Sequence, residues 1–215
     1  MEGLFFTSNI MPTQPWFATP VYVNDVHESE DSYNEIQEEL LSSFNKQKFN
    51  QIAGWSPDTH ELNEDPFRRN VIKECPKFLD FLHDNVMSYM DDIRCTLPRE
   101  YVITSSWFTK TKHGKYAHLH DHGNCDMAGV YYLQTNGKDG NLIFHDINSS
   151  YAKNYIYRTI TVADKGLPLE QGLLALWPGI LQHTTEFNRT QDVRISLSFN
   201  ISFLEKFDGD GYIFK

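Results

Sequence analysis

From Tyr101 onward the chain is a succession of short β-branched and aromatic segments broken by turn chemistry, and this run restricts the possible folds more than any other feature. The segments lie at about 101–109, 116–121, 128–134, 140–145, 155–162, 172–177, 181–186 and 193–203, with Asn136-Gly137-Lys138-Asp139-Gly140 as the plainest turn. Short strands in such close succession form a sandwich, jelly roll or barrel. Two helices are expected ahead of them. One covers about Ser32 to Phe44, where Ile36, Leu40, Leu41 and Phe44 recur at helical spacing. The other starts at Pro76, which suits a first helical turn, and carries a stripe of Phe78, Phe81, Leu82, Val86, Met87, Met90 and Ile93 before Thr96 to Pro98 end it. Thr19 to Val23 reads as a short edge strand, and Asn45 to Arg69, turn-rich and without a steady period, reads as a long surface loop. A helical layer on one side of a β-sandwich is the architecture this order predicts.

Length and composition narrow the functions. At 215 residues the chain is sized for one domain. Its 19 Lys plus Arg against 29 Asp plus Glu leave a formal charge of −10, which disfavours nucleic acid as a partner. Cys75, Cys95 and Cys125 have no CxxC spacing and no apolar signal segment precedes them, so a reducing, cytoplasmic setting is expected rather than a disulfide framework or thiolate zinc site. The apolar run from Gly172 to Leu181 falls well short of the roughly 20 residues a membrane-spanning helix requires, so a soluble protein with no membrane partner is expected. The acidic run Glu28 to Asp31 reads as a solvated approach to the first helix.

The densest chemistry is His118-Leu119-His120-Asp121-His122, three of the nine histidines within five residues. On a strand, side chains alternate between faces, so 118, 120 and 122 share one side and Asp121 takes the other. Two imidazoles two residues apart can grip one metal ion. A carboxylate at 120 or 122 would give the common two-histidine, one-carboxylate triad; with histidine at both, an all-histidine triad follows. His183, after the strand Leu174-Ala175-Leu176-Trp177 and the Pro178-Gly179 turn, is the best third ligand. His118 could exchange with His122 by a one-step register shift. Asp121 or Asp126 could support the site from behind the ligands.

Further along, period-2 alternation puts Arg194, Ser196 and Ser198 on one face and Ile195, Leu197 and Phe199 on the other. An arginine fork beside a serine hydroxyl is suited to clamping a carboxylate. Trp177, Phe199 and Tyr131 read as core, while Trp107 and Phe108 are divided between core and site. His60, His83, His113 and His145 receive no role.

The ordered set His120-x-His122-x-Asn124, Gly129-Val130-Tyr131-Tyr132, Gly140-x-Leu142, Trp177-Pro178-Gly179, His183 and Arg194-x-Ser196-x-Ser198-Phe199-Asn200 resembles the 2-oxoglutarate-dependent Fe(II) oxygenases. It is most similar to a subfamily met in bacteria and phages, and distantly to the prolyl 4-hydroxylases. The likeness is strong over about 101–203, and Phe17-Ala18-Thr19-Pro20-Val21-Tyr22 is similar to that subfamily's start. The resemblance implies a double-stranded β-helix, a cupin-like jelly roll, mainly β with flanking helices. It would form one domain over 1–215, with helical support over about 1–100 and the β core over about 101–203. It implies Fe(II), 2-oxoglutarate and O₂ as cofactors and cosubstrates. His120, His122 and His183 would be the ligands; Arg194, with Ser196 beside it and Tyr132, would hold the far carboxylate of 2-oxoglutarate. The chain departs from the family at Ala128, where relatives often have Ser, and at His122, where most have Asp.

The activity expected is a dioxygenase, most simply a hydroxylase. It would act on a small-molecule or protein substrate set by loops such as 51–69 and 148–155. Two other classes compete: a cupin-like three-histidine dioxygenase that uses no 2-oxoglutarate, and a non-catalytic β-sandwich binding module.

Overall fold

The computed structural model describes residues 19–25, 30–51, 59–63, 70–95, 100–123, 125–145, 165–203 and 212–214. In chain order the elements are β1 (Tyr22–Asp25), α1 (Glu30–Asn45), β2 (Phe49–Gln51), β3 (Glu61–Asn63), a 3-10 turn (Val71–Glu74) and α2 (Pro76–Asp92). They continue with β4 (Tyr101–Thr111), β5 (Met127–Gln134), β6 (Leu142–Phe144), β7 (Lys165–Leu167), β8 (Leu173–Pro178), β9 (His183–Thr185), β10 (Arg194–Phe203) and β11 (Tyr212–Phe214). Among the described residues the strands make an eight-stranded sheet, ordered β1-β8-β5-β10-β4-β3-β2 with β11 also on β4, and a three-stranded sheet, β7-β6-β9. Every strand pairing is antiparallel. This is the jelly-roll architecture.

Alternation along β10 divides the interior in two. Ile195, Leu197, Phe199 and Ile201 face the helices, joining Phe78, Leu82, Val86 and Met90 of α2 and Leu40 of α1 in one core. On α2 the buried positions Phe78, Leu79, Leu82, Val86, Tyr89 and Met90 follow helical spacing, so one stripe meets the sheet. At about 1.5–3 kcal/mol per fully buried large apolar side chain, these residues supply on the order of 10 kcal/mol before the entropy of ordering is set against it. Phe78 packs edge-on to Tyr131 at 5.2 Å, and Gln37 of α1 donates to the Tyr131 hydroxyl at 2.8 Å. The helical layer thereby stiffens the back of the strands that carry the site. The second, smaller core lies between the sheets and holds Ala128, Val130, Tyr132, Leu142, Phe144, Ala175 and Trp177.

Several expectations are corrected. The stretch read as one long loop over 45–69 contains β2 and β3, with β3 pairing on to β4. Strands of three residues are too short to show a period. The segment 116–121 is no regular strand: it bends at Leu119 and is tied by isolated bridges, Tyr116 to Thr59 and His120 to His183, and by hydrogen bonds between Ala117 and Thr185. The second helix, whose expected stripe ended at Ile93 ahead of Thr96 to Pro98, stops at Asp92 with Ile93 as its C-cap, and Arg94 takes a left-handed φ of 52° with its N–H on the Asp91 carbonyl. The expected strand at 155–162, the helix-ending Thr96 to Pro98, Asn124, Phe17-Ala18 and the loop 148–155 lie outside the described residues. β1 does sit at the edge of the large sheet. Among the described residues no helix is long and apolar enough to cross a membrane.

Candidate active site

The side of β10 that faces away from the helices forms the floor of a cavity of about 460 Å³ between the two sheets. Register fixes its layout. Arg194 lies across from Thr111, Ser196 from Thr109, Ser198 from Trp107 and Asn200 from Ser105, and all eight line the cavity. On the other flank of β10, Tyr132 lies across from Ser196. The period-2 reading of Arg194, Ser196 and Ser198 therefore matches the observed face.

His120, His122 and His183 meet at one place, each with a ring nitrogen within 4.8 Å of those of the other two. His120 and His183 are brought together by the backbone: each N–H donates to the other's carbonyl, at 3.1 and 2.9 Å, and the ring centroids lie 4.2 Å apart. His122 is set by its own N–H, which donates to the Gly179 carbonyl at 2.7 Å. Gly179 has to be glycine, because a Cβ there would come within 2.2 Å of the Cys125 carbonyl oxygen. His118 stays outside the triad, although its ring lies 5.7 Å from that of His120.

The second nitrogen of each ring decides whether the cluster suits a metal. Nδ1 of His120 bonds to the His118 carbonyl at 2.7 Å, Nδ1 of His183 to the Leu181 carbonyl at 2.9 Å, and Nδ1 of His122 to Oδ1 of Asn200 at 2.5 Å. A carbonyl oxygen only accepts, so each Nδ1 carries the proton and each Nε2 keeps a lone pair for the shared space. Burial pushes all three imidazoles below their ordinary range, His120 to about 4 and His183 well down; bonding to Asn200 partly offsets this for His122. Three neutral rings with converging lone pairs fit a divalent transition metal. Of the carboxylates expected to support them, neither bonds a ring: Asp121 caps the Gly123 N–H at 3.1 Å while its charge favours the protonated forms of His120 and His122, and Asp126 accepts from Phe203 N–H at 2.8 Å. Backbone carbonyls and Asn200 make the direct bonds to the rings.

Arg194 is 2% exposed, and among the described residues no carboxylate lies within ion-pair distance of it. Nη1 donates to the carbonyls of Asp139 at 2.8 Å and Gly140 at 2.9 Å, and Nη2 donates to Thr185 Oγ1 at 3.0 Å. The Gly140 φ of 98° favours glycine, and a Cβ there would come within 2.7 Å of the Glu186 carbonyl. Guanidinium has five N–H groups, so two stay available to an anion. Ser196 and Thr109 share a short hydroxyl–hydroxyl hydrogen bond. Burial raises the Tyr132 phenol well above its usual range, which keeps it a neutral donor beside Arg194.

Sequence reasoning missed His60 and Thr185 and gave Asn200 no role; it left Trp107 divided between core and site and read Trp177 as core, and Trp177 does lie in the core between the sheets. His60 lines the cavity and is driven to about 3, chiefly by burial, with His120, Arg194 and His118 adding to it. Trp107 stacks on His122 at 5.7 Å, Trp177 lies edge-on to His183 at 4.9 Å, and Thr185 joins Arg194 to the Ala117 N–H. Only Thr185 had a usable signal: it lies two residues from His183, on the same face of a strand.

Residues 105–200, a little under half the chain, match a family model described as "Putative 2OG-Fe(II) oxygenase". Among curated proteins no sequence matches. Among solved structures the chain is similar to the non-heme alpha-ketoglutarate-dependent epimerase SnoN of nogalamycin biosynthesis (TM-score 0.60, 9% identity, covering 85% of this chain and 77% of that one). It is also similar to HygX from Streptomyces hygroscopicus, solved with nickel and 2-oxoglutarate bound (TM-score 0.56, 14% identity, 86% and 83%). A Pseudomonas putida prolyl-4-hydroxylase is a third (TM-score 0.54, 11% identity, 85% and 92%).

Proposed function

We propose, from the premise that the chain is a distant homologue of the 2OG-Fe(II) oxygenases, that it is a dioxygenase holding Fe(II) on His120, His122 and His183. The reaction converts 2-oxoglutarate, O₂ and a substrate C–H into succinate, CO₂ and the corresponding C–OH. The observation that carries this reading is the meeting, in one cavity, of three imidazole lone pairs and a buried cation that, among the described residues, no carboxylate reaches within ion-pair distance, Asp139 and Glu186 acting on it only from further off.

Bound iron with the 2-oxo acid and O₂ would supply the oxidising chemistry. The chain's own residues do the rest. The carbonyls behind His120 and His183 fix their tautomers, and Asn200 does so for His122. The two remaining N–H groups of Arg194, with the Tyr132 hydroxyl, suit the far carboxylate of 2-oxoglutarate. Trp107, Trp177 and Val130 keep much of the wall apolar, which strengthens every charge interaction inside.

The test is aerobic incubation with Fe(II) and 2-oxoglutarate. The wild type should form succinate, if only slowly without substrate, and His183→Ala should form none. Succinate from neither protein, with iron bound to the wild type, would overturn the reading.

The all-histidine ligand set also suits a cupin-like dioxygenase that uses no 2-oxo acid. The two separate on one measurement. Anaerobic addition of 2-oxoglutarate to the Fe(II) protein gives a visible charge-transfer band in the first case and none in the second.

A further inference from the structure

His122 differs from the other two histidines in how its second nitrogen is held. His120 and His183 each bond a backbone carbonyl two residues earlier in the chain, an acceptor that cannot be turned round. His122 bonds a side-chain amide, Asn200, 78 residues away on β10. An amide has two orientations. With Oδ1 toward His122, Nδ1 carries the proton and Nε2 offers its lone pair. With Nδ2 toward His122, the amide donates to Nδ1, Nε2 carries the proton, and the ring is useless as a ligand. In the first orientation the Asn200 Nδ2 donates to Ser105 Oγ at 3.1 Å, so both ends of the amide are satisfied. Ser105 is buried and lies directly across from Asn200 in the β4–β10 ladder, so register supplies the anchor. Trp107, two residues along the same face, packs flat on the His122 ring.

We infer that Asn200 is the positioning residue that makes His122 a metal ligand, acting as its hydrogen-bond acceptor and anchored in turn by Ser105. The inference rests on the metal reading above. It also explains how a histidine serves at the position where most of the superfamily has a carboxylate. A third imidazole leaves the site one negative charge short, and the acceptor behind it is where charge can be returned. An aspartate at 200 would present a carboxylate to the same Nδ1–H, raising the donor strength of Nε2.

The experiment is titration of the apo protein with Mn(II), followed by the EPR signal of the free ion, beside thermal melting of each apo variant. Asn200→Ala should weaken Mn(II) binding by about 10–100-fold, the usual effect of losing such a partner. Asn200→Asp should bind Mn(II) at least as tightly as wild type. Ser105→Ala, which keeps Asn200 but frees its amide, should lose several-fold. A purely structural asparagine would give the opposite of the second result, because a buried charge would harm the fold and the affinity together. The inference is overturned if Asn200→Ala binds like wild type, or if Asn200→Asp loses as much as Asn200→Ala. Should Asn200→Ala not fold, the aspartate and Ser105 variants decide alone: loss in the first or wild-type affinity in the second overturns it. Failure of wild type to bind Mn(II) would instead sink the metal reading itself. Wild-type binding with an unaltered Asn200→Ala would sink only this step.

Discussion

The two ends of the cavity are built on opposite electrostatic designs. At one end, burial keeps three imidazoles neutral and carbonyl acceptors hold them with lone pairs inward. At the other, a guanidinium keeps its charge despite being fully enclosed, and its partners are two backbone carbonyls and a threonine hydroxyl. Each end is incomplete alone. Donor atoms without a cation cost desolvation, and a buried cation bonded only to neutral groups, with the Asp139 and Glu186 charges further off, costs more. On the proposed reading a metal would complete the first end and a carboxylate the second, so a ligand that binds the metal and ends in a carboxylate would join them. Since the ends rest on different atoms, they should fail separately.

The largest separation is expected from His183→Ala. Losing one of three ligands should reduce Mn(II) or Fe(II) affinity by more than about 100-fold, since partner losses behind a ligand already cost 10–100-fold. Arg194→Met is the converse. Cutting one side of a buried charge-assisted pair costs roughly 2–5 kcal/mol, so 2-oxoglutarate should bind on the order of 100-fold more weakly while Mn(II) affinity stays near wild type. Calorimetric titration of each variant with metal, then with 2-oxoglutarate, checks both. If Arg194→Met loses metal as well, the two ends are one coupled unit and the comparison fails.

How well each end could be read in the sequence differs for the same reason. The Arg194 end was legible because β10 is long, regular and alternates without interruption, so Arg194, Ser196 and Ser198 fall on one face by counting. His120 and His122 were found through their spacing, although the strand that justified it does not exist. What brings them together is the His120–His183 bridge and the Gly179 carbonyl, both contacts between distant segments. His60 was invisible because it adjoins β3, a three-residue strand with no period. Asn200 stood in the motif without a role, because its partner is 78 residues away and only register connects them. The helices were plain, since a stripe such as Phe78, Leu82, Val86 and Met90 is written locally.

A pH experiment sharpens the electrostatic contrast without touching a ligand. His60 sits in the cavity wall with its folded value pushed to about 3, whereas an unfolded histidine titrates near 6.5. Between those values the unfolded chain binds the extra proton, so stability rises with pH across the window. The contribution is complete above about pH 6.5 and is lost as pH falls toward 3. Carboxylates titrate in the lower part of the same window, so the informative quantity is a difference. His60→Phe should flatten the fall in the urea midpoint between pH 7.5 and 4.5 relative to wild type. An unchanged slope would mean that His60 is not held neutral by the fold.

The smallest effect expected is at Tyr132, and it tests the finest part of the comparison. Its phenol is fully buried, stays protonated, and lies beside Arg194 across from Ser196. If it donates to the same carboxylate as the guanidinium, Tyr132→Phe removes one hydrogen bond and leaves the charge interaction intact. A single hydrogen bond contributes about 0.5–1.5 kcal/mol net, so the KM for 2-oxoglutarate should rise roughly 2–10-fold. The metal end has no part in that bond, so Mn(II) affinity should not move. Nor should the fold suffer, since the phenyl ring keeps the packing between the sheets. A KM rise matching that of Arg194→Met would mean that the hydroxyl orients the guanidinium rather than sharing the ligand with it. An unaltered KM would leave Arg194, Ser196 and Thr185 as the candidates for the anion-binding end.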